Sequence, residues 1–269
     1  MSQAFPTSKF IKDENGNTYN YVNGRYVVLQ EYIESESHVN HDLPDSLLFQ
    51  AAEILAQLHE ILIGYNLPVE MDVMWVKEFS VSQTYAKYDY LLDFAQNVED
   101  KAIRYKISED LIFKKGLIKL IKPYGEYFDK LIYKSTHGDY NSMQYLCAGD
   151  IIKAIIDFAS AKKIPAIWEI MRSYMQSASD TKDPFDFDVS KFCEYVRCYM
   201  RFSALTEFDL KYMPYVYLYQ LGRSGYGYKE YMTDAKSKDE FLKFAFWRTD
   251  VCRMLLNKAD EISAKLTAL

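Results

Sequence analysis

Two aspartates, each inside a short polar motif, mark where this sequence could do chemistry. His137-Gly138-Asp139-Tyr140-Asn141-Ser142-Met143-Gln144 enters the first of two expected strands, and Ile156-Asp157-Phe158-Ala159-Ser160-Ala161 leaves the second. Tyr145-Leu146-Cys147 and Ile151 to Phe158 read as the strands of a hairpin, with Ala148-Gly149-Asp150 as its turn. The hairpin sets two carboxylates at neighbouring strand ends. Such a pair can divide the tasks of phosphoryl transfer, which needs charge neutralisation and alignment more than covalent chemistry. A lone Asp at a strand end more often caps a turn; the pairing favours the chemical reading.

Other polar groups are weaker candidates. Gly222-Arg223-Ser224-Gly225-Tyr226-Gly227 follows a Tyr-rich helical pattern rather than a β-branched strand, so it reads as a glycine-capped turn and not a phosphate cradle. Asp183, Asp186 and Asp188 would suit a cationic ligand, but a solvated loop with Asp188 as a helix N-cap accounts for them. His38 and His41 lack a third metal ligand. Lys162 and Lys163 read as surface charges, and Lys9 and Lys12 as solvated charges on an edge strand. The four cysteines, Cys147, Cys193, Cys198 and Cys252, are scattered and read as reduced, buried thiols.

The elements that must position the aspartates are mostly helices. Leu47, Leu48, Ala51, Leu55, Leu58 and Leu62 repeat at helical spacing behind Pro44 and Asp45. Further helical patterns cover roughly 80 to 97, 106 to 133, 165 to 177, 188 to 203 and 238 to 266. Tyrosines such as Tyr212, Tyr215, Tyr217 and Tyr219 suit half-buried helix interfaces. The first 33 residues differ. Asn15-Gly16 and Asn23-Gly24 separate short aromatic and β-branched runs, and Asn-Gly favours type I′ turns, so a three-stranded antiparallel meander is expected. An uncovered meander exposes apolar surface, which implies self-association through residues 8 to 33, a homodimer through the N-terminal sheet.

Composition excludes several classes. With 49% hydrophobic residues over 269 positions, the chain can bury a real core and is not disordered. Its 38 Asp+Glu outnumber 32 Lys+Arg, so no global positive field gathers nucleic acid or anionic lipid. The start lacks a basic stretch followed by an apolar run, and no segment approaches the length of a membrane span. A cytoplasmic protein with neither nucleic-acid nor membrane partners is expected.

The two aspartate motifs, in this order and joined by a hairpin, resemble the aminoglycoside phosphotransferase and choline kinase superfamily, relatives of the protein kinases. That family has a His-Gly-Asp catalytic loop followed by an Ile-Asp-Phe metal-binding element. Val27 to Ile33 resembles its last N-lobe strand and hinge, Ala56-Gln57-Leu58-His59 its following helix, and Pro165 to Glu169 the helix that closes the site. The resemblance spans about residues 8 to 260, although only the two central motifs are diagnostic. It implies a protein-kinase-like α+β fold with a reduced antiparallel N-terminal sheet and a large, mostly helical C-terminal lobe. Residues 1 to 36 would form the partial N-lobe meander and hinge, and 37 to 269 the helical lobe.

The implied function is ATP-dependent phosphorylation of a hydroxyl on a small molecule, with an aminoglycoside-, choline- or homoserine-like acceptor. By resemblance Asp139 is the catalytic base, His137 braces its loop, and Asp157 ligates Mg²⁺. Backbone groups of Glu31, Tyr32 and Ile33 would meet the adenine of ATP. Gln144 stands where the family has a metal-binding Asn, with the same amide oxygen on a longer stem, and is expected as a secondary Mg²⁺ ligand; Asn141 is expected to cap the loop. The family's glycine-rich loop and phosphate lysine would precede the meander, and too few residues precede Tyr19 to hold them. A noncatalytic kinase-like binding or dimerisation protein is therefore the competing expectation.

Overall fold

The computed structural model describes residues 5–64, 79–233 and 238–269; residues 1–4 of the N-terminal start read above lie outside them. Eight α-helices follow in chain order among the described residues: α1 (Asp45–Ile61), α2 (Val81–Ala95), α3 (Lys101–Ile121), α4 (Ala166–Ser177), α5 (Val189–Met200), α6 (Glu207–Gly222), α7 (Tyr228–Thr233) and α8 (Lys238–Thr267). Several begin at a side-chain cap. Ser80, Asp100 and Asp188 accept the first free amides of α2, α3 and α5, and Thr206 with Asp209 forms a capping box at α6. The apolar stripe expected on α1 is buried, from Leu47 and Leu48 to Leu58. The core runs between α6 and α8, with α1 packed on α5 and α4 on α6.

The strands are short and antiparallel: β1 (Asn20–Val22) pairs with β2 (Arg25–Val27), β3 (Glu36–Ser37) with β5 (Tyr145–Ala148), β5 with β6 (Ile151–Ile155), and β4 (Tyr133–Thr136) with β7 (Lys162–Pro165). The expected β5–β6 hairpin is present, turning at Gly149 with φ +54°. This is an α+β fold with a reduced sheet and a large helical lobe.

Two expectations about the elements need correction. The helix expected over 106 to 133 begins at Lys101, because Asp100 caps it, and ends at Ile121. Pro123 cannot donate the next helical hydrogen bond; a 3₁₀ run from Lys122 to Lys130 follows, and Tyr133 opens β4. The N-terminal meander is also differently paired. Asn23 and Gly24, with φ +51° and +79°, do make the β1–β2 turn. At Asn15-Gly16, however, the Asp13 carboxylate accepts the amides of Asn15 and Asn17 at 2.9 and 2.8 Å, closing a side-chain-capped loop instead of a two-residue hairpin. Phe10 then bridges to Gln30 and not to the strand beside it in sequence. Tyr21, Tyr26, Leu29 and Tyr32 are exposed on this segment. No described helix is long and apolar enough to cross a membrane.

Candidate active site

Pairing of β4 with β7 brings the two motifs together. Thr136 lies opposite Lys162 and donates its hydroxyl to the Lys162 carbonyl at 2.8 Å, so the loop leaving β4 at His137 runs beside the loop entering β7 from Asp157. His137 is fully buried and ties the loops: its Nε2 donates to the Ile156 carbonyl at 2.8 Å, while its Nδ1 accepts the Asp139 amide at 3.3 Å. Gly138 has φ +82°, and a Cβ there would stand 1.9 Å from the Ser160 carbonyl oxygen, so only glycine lets the loops touch.

Glu169, on α4 and fully buried, fixes this loop from behind. Its carboxylate accepts the amides of His137 at 3.1 Å and Gly138 at 2.5 Å, and His59 Nε2 at 3.0 Å; the Tyr199 hydroxyl in turn donates to His59 Nδ1 at 2.8 Å. Burial alone would raise the Glu169 pKa, but the bond from His59, the nearby imidazoles and the Gly138 amide outweigh it and hold the pKa below the usual carboxylate value. The sequence offered Glu169 only as part of a helix; nothing in its neighbours announces a buried anchor.

Asp139 is partly exposed, and both of its oxygens are engaged. Arg172 of α4 forms an ion pair with Oδ1, which also accepts Asn141 Nδ2 at 3.3 Å, and Gln144 Nε2 donates to Oδ2 at 3.3 Å. Asn141 Oδ1 accepts the Met143 amide at 3.0 Å and caps the 3₁₀ turn Ser142–Gln144, the loop-capping role expected for it. Gln144 is held beside the second motif, since its carbonyl accepts the Ile156 amide at 3.0 Å. Asp157 adopts φ +62° and is exposed, its carboxylate accepting the Ala159 amide at 3.4 Å.

One carboxylate and one amide oxygen, on loops joined by that Gln144–Ile156 bond, suit Mg²⁺. This ion keeps several waters and leans on substrate phosphates instead of an all-protein cage. The described residues contain no cluster of three or more His, Cys, Asp or Glu side chains able to enclose a metal.

Asp139 and Gln144 open into a cavity of about 580 Å³. Its walls come from one face of each of three helices: Trp168, Arg172 and Gln176 of α4, Tyr217 and Gln220 of α6, and Phe244, Trp247 and Arg248 of α8. Those residues recur at three- and four-residue spacing, a signal present in the sequence but indistinguishable there from an ordinary buried stripe. Glu31, Tyr32 and Ile33 do not line this cavity, and the Glu31 amide donates to the Lys9 carbonyl at 2.8 Å. The remaining candidates lie elsewhere. Asp183 and Asp188 cap the turn at Pro184 and helix α5, Arg223 stacks over Phe79 and Tyr219, and the His41 ring lies against Trp247.

No protein-family model matches the chain, and no curated protein is similar to it in sequence. Solved structures are similar in shape. An aminoglycoside phosphotransferase from Alicyclobacillus acidocaldarius superposes with a TM-score of 0.64 at 14% identity, over 97% of this chain and 79% of its own. The fold is protein-kinase-like. A microcompartment-associated aminopropanol kinase (TM-score 0.57, 14% identity, 98% of this chain and 79% of that one) and AMP-bound spectinomycin phosphotransferase (0.57, 14%, 93% and 78%) have the same architecture. These neighbours establish the fold expected from the two aspartate motifs.

Proposed function

We propose that this protein is an ATP-dependent phosphotransferase acting on a hydroxyl of a small molecule. The observation that carries the reading is Asp139, held on a pinned loop at the wall of a cavity whose volume of about 580 Å³ suits a small organic acceptor. The names of the similar structures, kinases and phosphotransferases of small molecules, one with bound AMP, support it.

An acceptor hydroxyl in the cavity would meet the Asp139 carboxylate, which orients or takes its proton as the oxygen attacks phosphorus. Arg172, Asn141 and Gln144 hold that carboxylate in place, and Glu169 clamps the backbone behind it. The acid–base group is thus positioned before the acceptor arrives. His137 braces the loop, because its Nε2 proton is committed to the Ile156 carbonyl. Asp157 and Gln144 are the residues that would hold Mg²⁺, which when bound supplies charge neutralisation at the nucleotide phosphates. With the Glu31 amide bonded to Lys9, the Tyr32 and Ile33 amides are the hinge donors proposed to meet adenine.

Titration calorimetry with Mg²⁺ and a nonhydrolysable ATP analogue tests the nucleotide site, and Asp157→Ala should abolish the metal-dependent heat. Transfer from labelled ATP to an acceptor panel tests the reaction, and Asp139→Asn should slow it by about 10²- to 10⁴-fold. Absence of nucleotide binding at millimolar analogue would defeat the proposal.

A noncatalytic binding protein is the second reading, favoured by the engagement of both Asp139 oxygens. It requires acceptor binding without any transfer from ATP.

A further inference from the structure

Arg248 is a charged side chain of the cavity wall that the phosphotransfer reading leaves without a task. It is only 6% exposed, and it makes no hydrogen bond or ion pair with any described residue. Its guanidinium rests on the rings of Tyr226 and Phe244, each centroid 5.6 Å away. Aromatic faces stabilise a cation but use none of its five N–H donors. Burial works against the charged guanidinium, yet arginine does not give up its proton in proteins. A charge this deep with no counter-ion is costly to the folded chain.

Arg172 lines the same wall, but its free nitrogen is closed off from the cavity. One of its nitrogens, Nη2, is bound to Asp139, while Nη1 is buried without a hydrogen-bond partner. The carboxylates lining the cavity do not answer Arg248: Asp139 is taken by Arg172, and Glu240 is exposed and forms no ion pair with Arg248.

We propose that Arg248 forms a carboxylate-binding subsite, so that the acceptor is a small hydroxycarboxylate. The proposal rests on the phosphotransferase reading and narrows its substrate class. A planar guanidinium matches a carboxylate in a two-pronged hydrogen bond. One uncompensated positive charge calls for a monoanion, and so a carboxylate is favoured over a phosphate ester. The acceptor carboxylate would dock on Arg248 and direct its hydroxyl to Asp139, on the other side of Arg172. Nothing is transferred to or from the subsite; it contributes binding and orientation.

The test uses the full chain and hydroxycarboxylates of three to five carbons. Each is compared with its own carboxamide, diol and amino alcohol, and with the corresponding hydroxyalkyl phosphate. Calorimetry without nucleotide measures binding, and transfer from labelled ATP measures kcat/KM. The expected result is at least tenfold preference for one carboxylate over its carboxamide by both measures, collapsing to near equality in Arg248→Met and partly restored in Arg248→Lys. Equal binding of carboxylate and carboxamide, preference for the amine or phosphate, or a preference that survives Arg248→Met would overturn the subsite. Transfer to diols and amino alcohols as readily as to carboxylates would do so while leaving the phosphotransferase reading intact. Arg248-dependent carboxylate binding with no transfer from ATP would uphold the subsite and reject the phosphotransferase.

Discussion

Gly138 and Ser160 touch through their backbones, and the missing side chain of Gly138 is what lets the loop carrying Asp139 lie against the turn that follows Asp157. An alanine would bring a Cβ into the Ser160 carbonyl at a φ of +82° that L side chains rarely adopt. Gly138→Ala should therefore separate the two loops. The expected outcome is at least a hundredfold loss of phosphotransfer, together with about 2–4 kcal/mol of stability in denaturant melts. A variant with parental activity would show that the contact is not needed to align the aspartates.

Glu169 makes a different demand, because three donors converge on one buried carboxylate. Glu169→Gln keeps the shape but turns one acceptor into a donor that faces an N–H group. The loss should be about 2–4 kcal/mol, as for other buried hydrogen-bonded charges deprived of one partner. Urea unfolding monitored by tryptophan fluorescence measures it, and the activity of the Glu169→Gln variant should fall through kcat, since the loop and not the cavity wall is disturbed.

Asp157 separates stability from function. Its φ of +62° is strained for a side chain and comfortable for glycine. Asp157→Gly should leave stability unchanged or raise it by about 0.5 kcal/mol, since relieved strain is offset by the greater freedom of the unfolded chain. The same change should abolish Mg²⁺-dependent nucleotide binding. Loss of folding, or retained metal-dependent binding, would contradict this account.

Lys114 lies in the core of the helical lobe, where burial pushes its pKa down to about 8, and it forms no ion pair among the described residues. Between pH 8 and the ordinary lysine value of 10.5 the unfolded chain binds a proton that the folded chain has released, so stability from this group rises with pH across that window. Below pH 8 the folded protein carries the full cost of the buried charge. Lys114→Met should thus stabilise at pH 7, by about 1–3 kcal/mol, and the gain should shrink as the pH approaches 10. Thermal melts of both proteins from pH 6 to 10 provide the check.

His41 works at the acid end. Burial first, and then the Lys182 charge, push its pKa from 6.5 down to about 4. The unfolded chain takes up a proton before the folded one does, and the stability present above pH 6.5 is lost as the pH falls towards 4. The ring is partly exposed, so the loss is about 1–2 kcal/mol after allowance for solvent screening. His41→Asn, which tolerates the φ of +62° at this position, should flatten stability between pH 7 and 4; an unchanged slope would show that other groups dominate.

The sequence carried the hairpin and both aspartates because their signals are local: a β-branched run, a Gly-containing turn and short polar motifs all lie between His137 and Ala161. It carried α1 and α5 for the same reason, through periodicity and an N-cap. The β4–β7 pair was hidden. The helical pattern read over 106 to 133 ran into Tyr133, where the strand opens, and Lys162-Lys163 resembled a charged surface until pairing placed them opposite Thr136 and Ser135. Arg172 and Arg248 were also out of reach, because whether an arginine on a helical stripe meets solvent, a carboxylate or an empty cavity depends on which helices pack together. The Asn15-Gly16 loop went astray through competition, since the Asp13 side chain captured the amides that a hairpin would have paired.

The pairing of β4 with β7 encloses the β5–β6 hairpin, so the segment from Tyr133 to Pro165 is closed on itself before any long helix contributes. Contacts between residues this near in sequence cost little loop-closure entropy and form early when a chain folds. The aspartates would then come into proximity in a small nascent ribbon, and the later arrival of α4 would bring Glu169 and Arg172 to lock it. The walls on α6 and α8 lie outside that segment, so substitutions there reshape the cavity without touching the strand pairing that brings the two loops together.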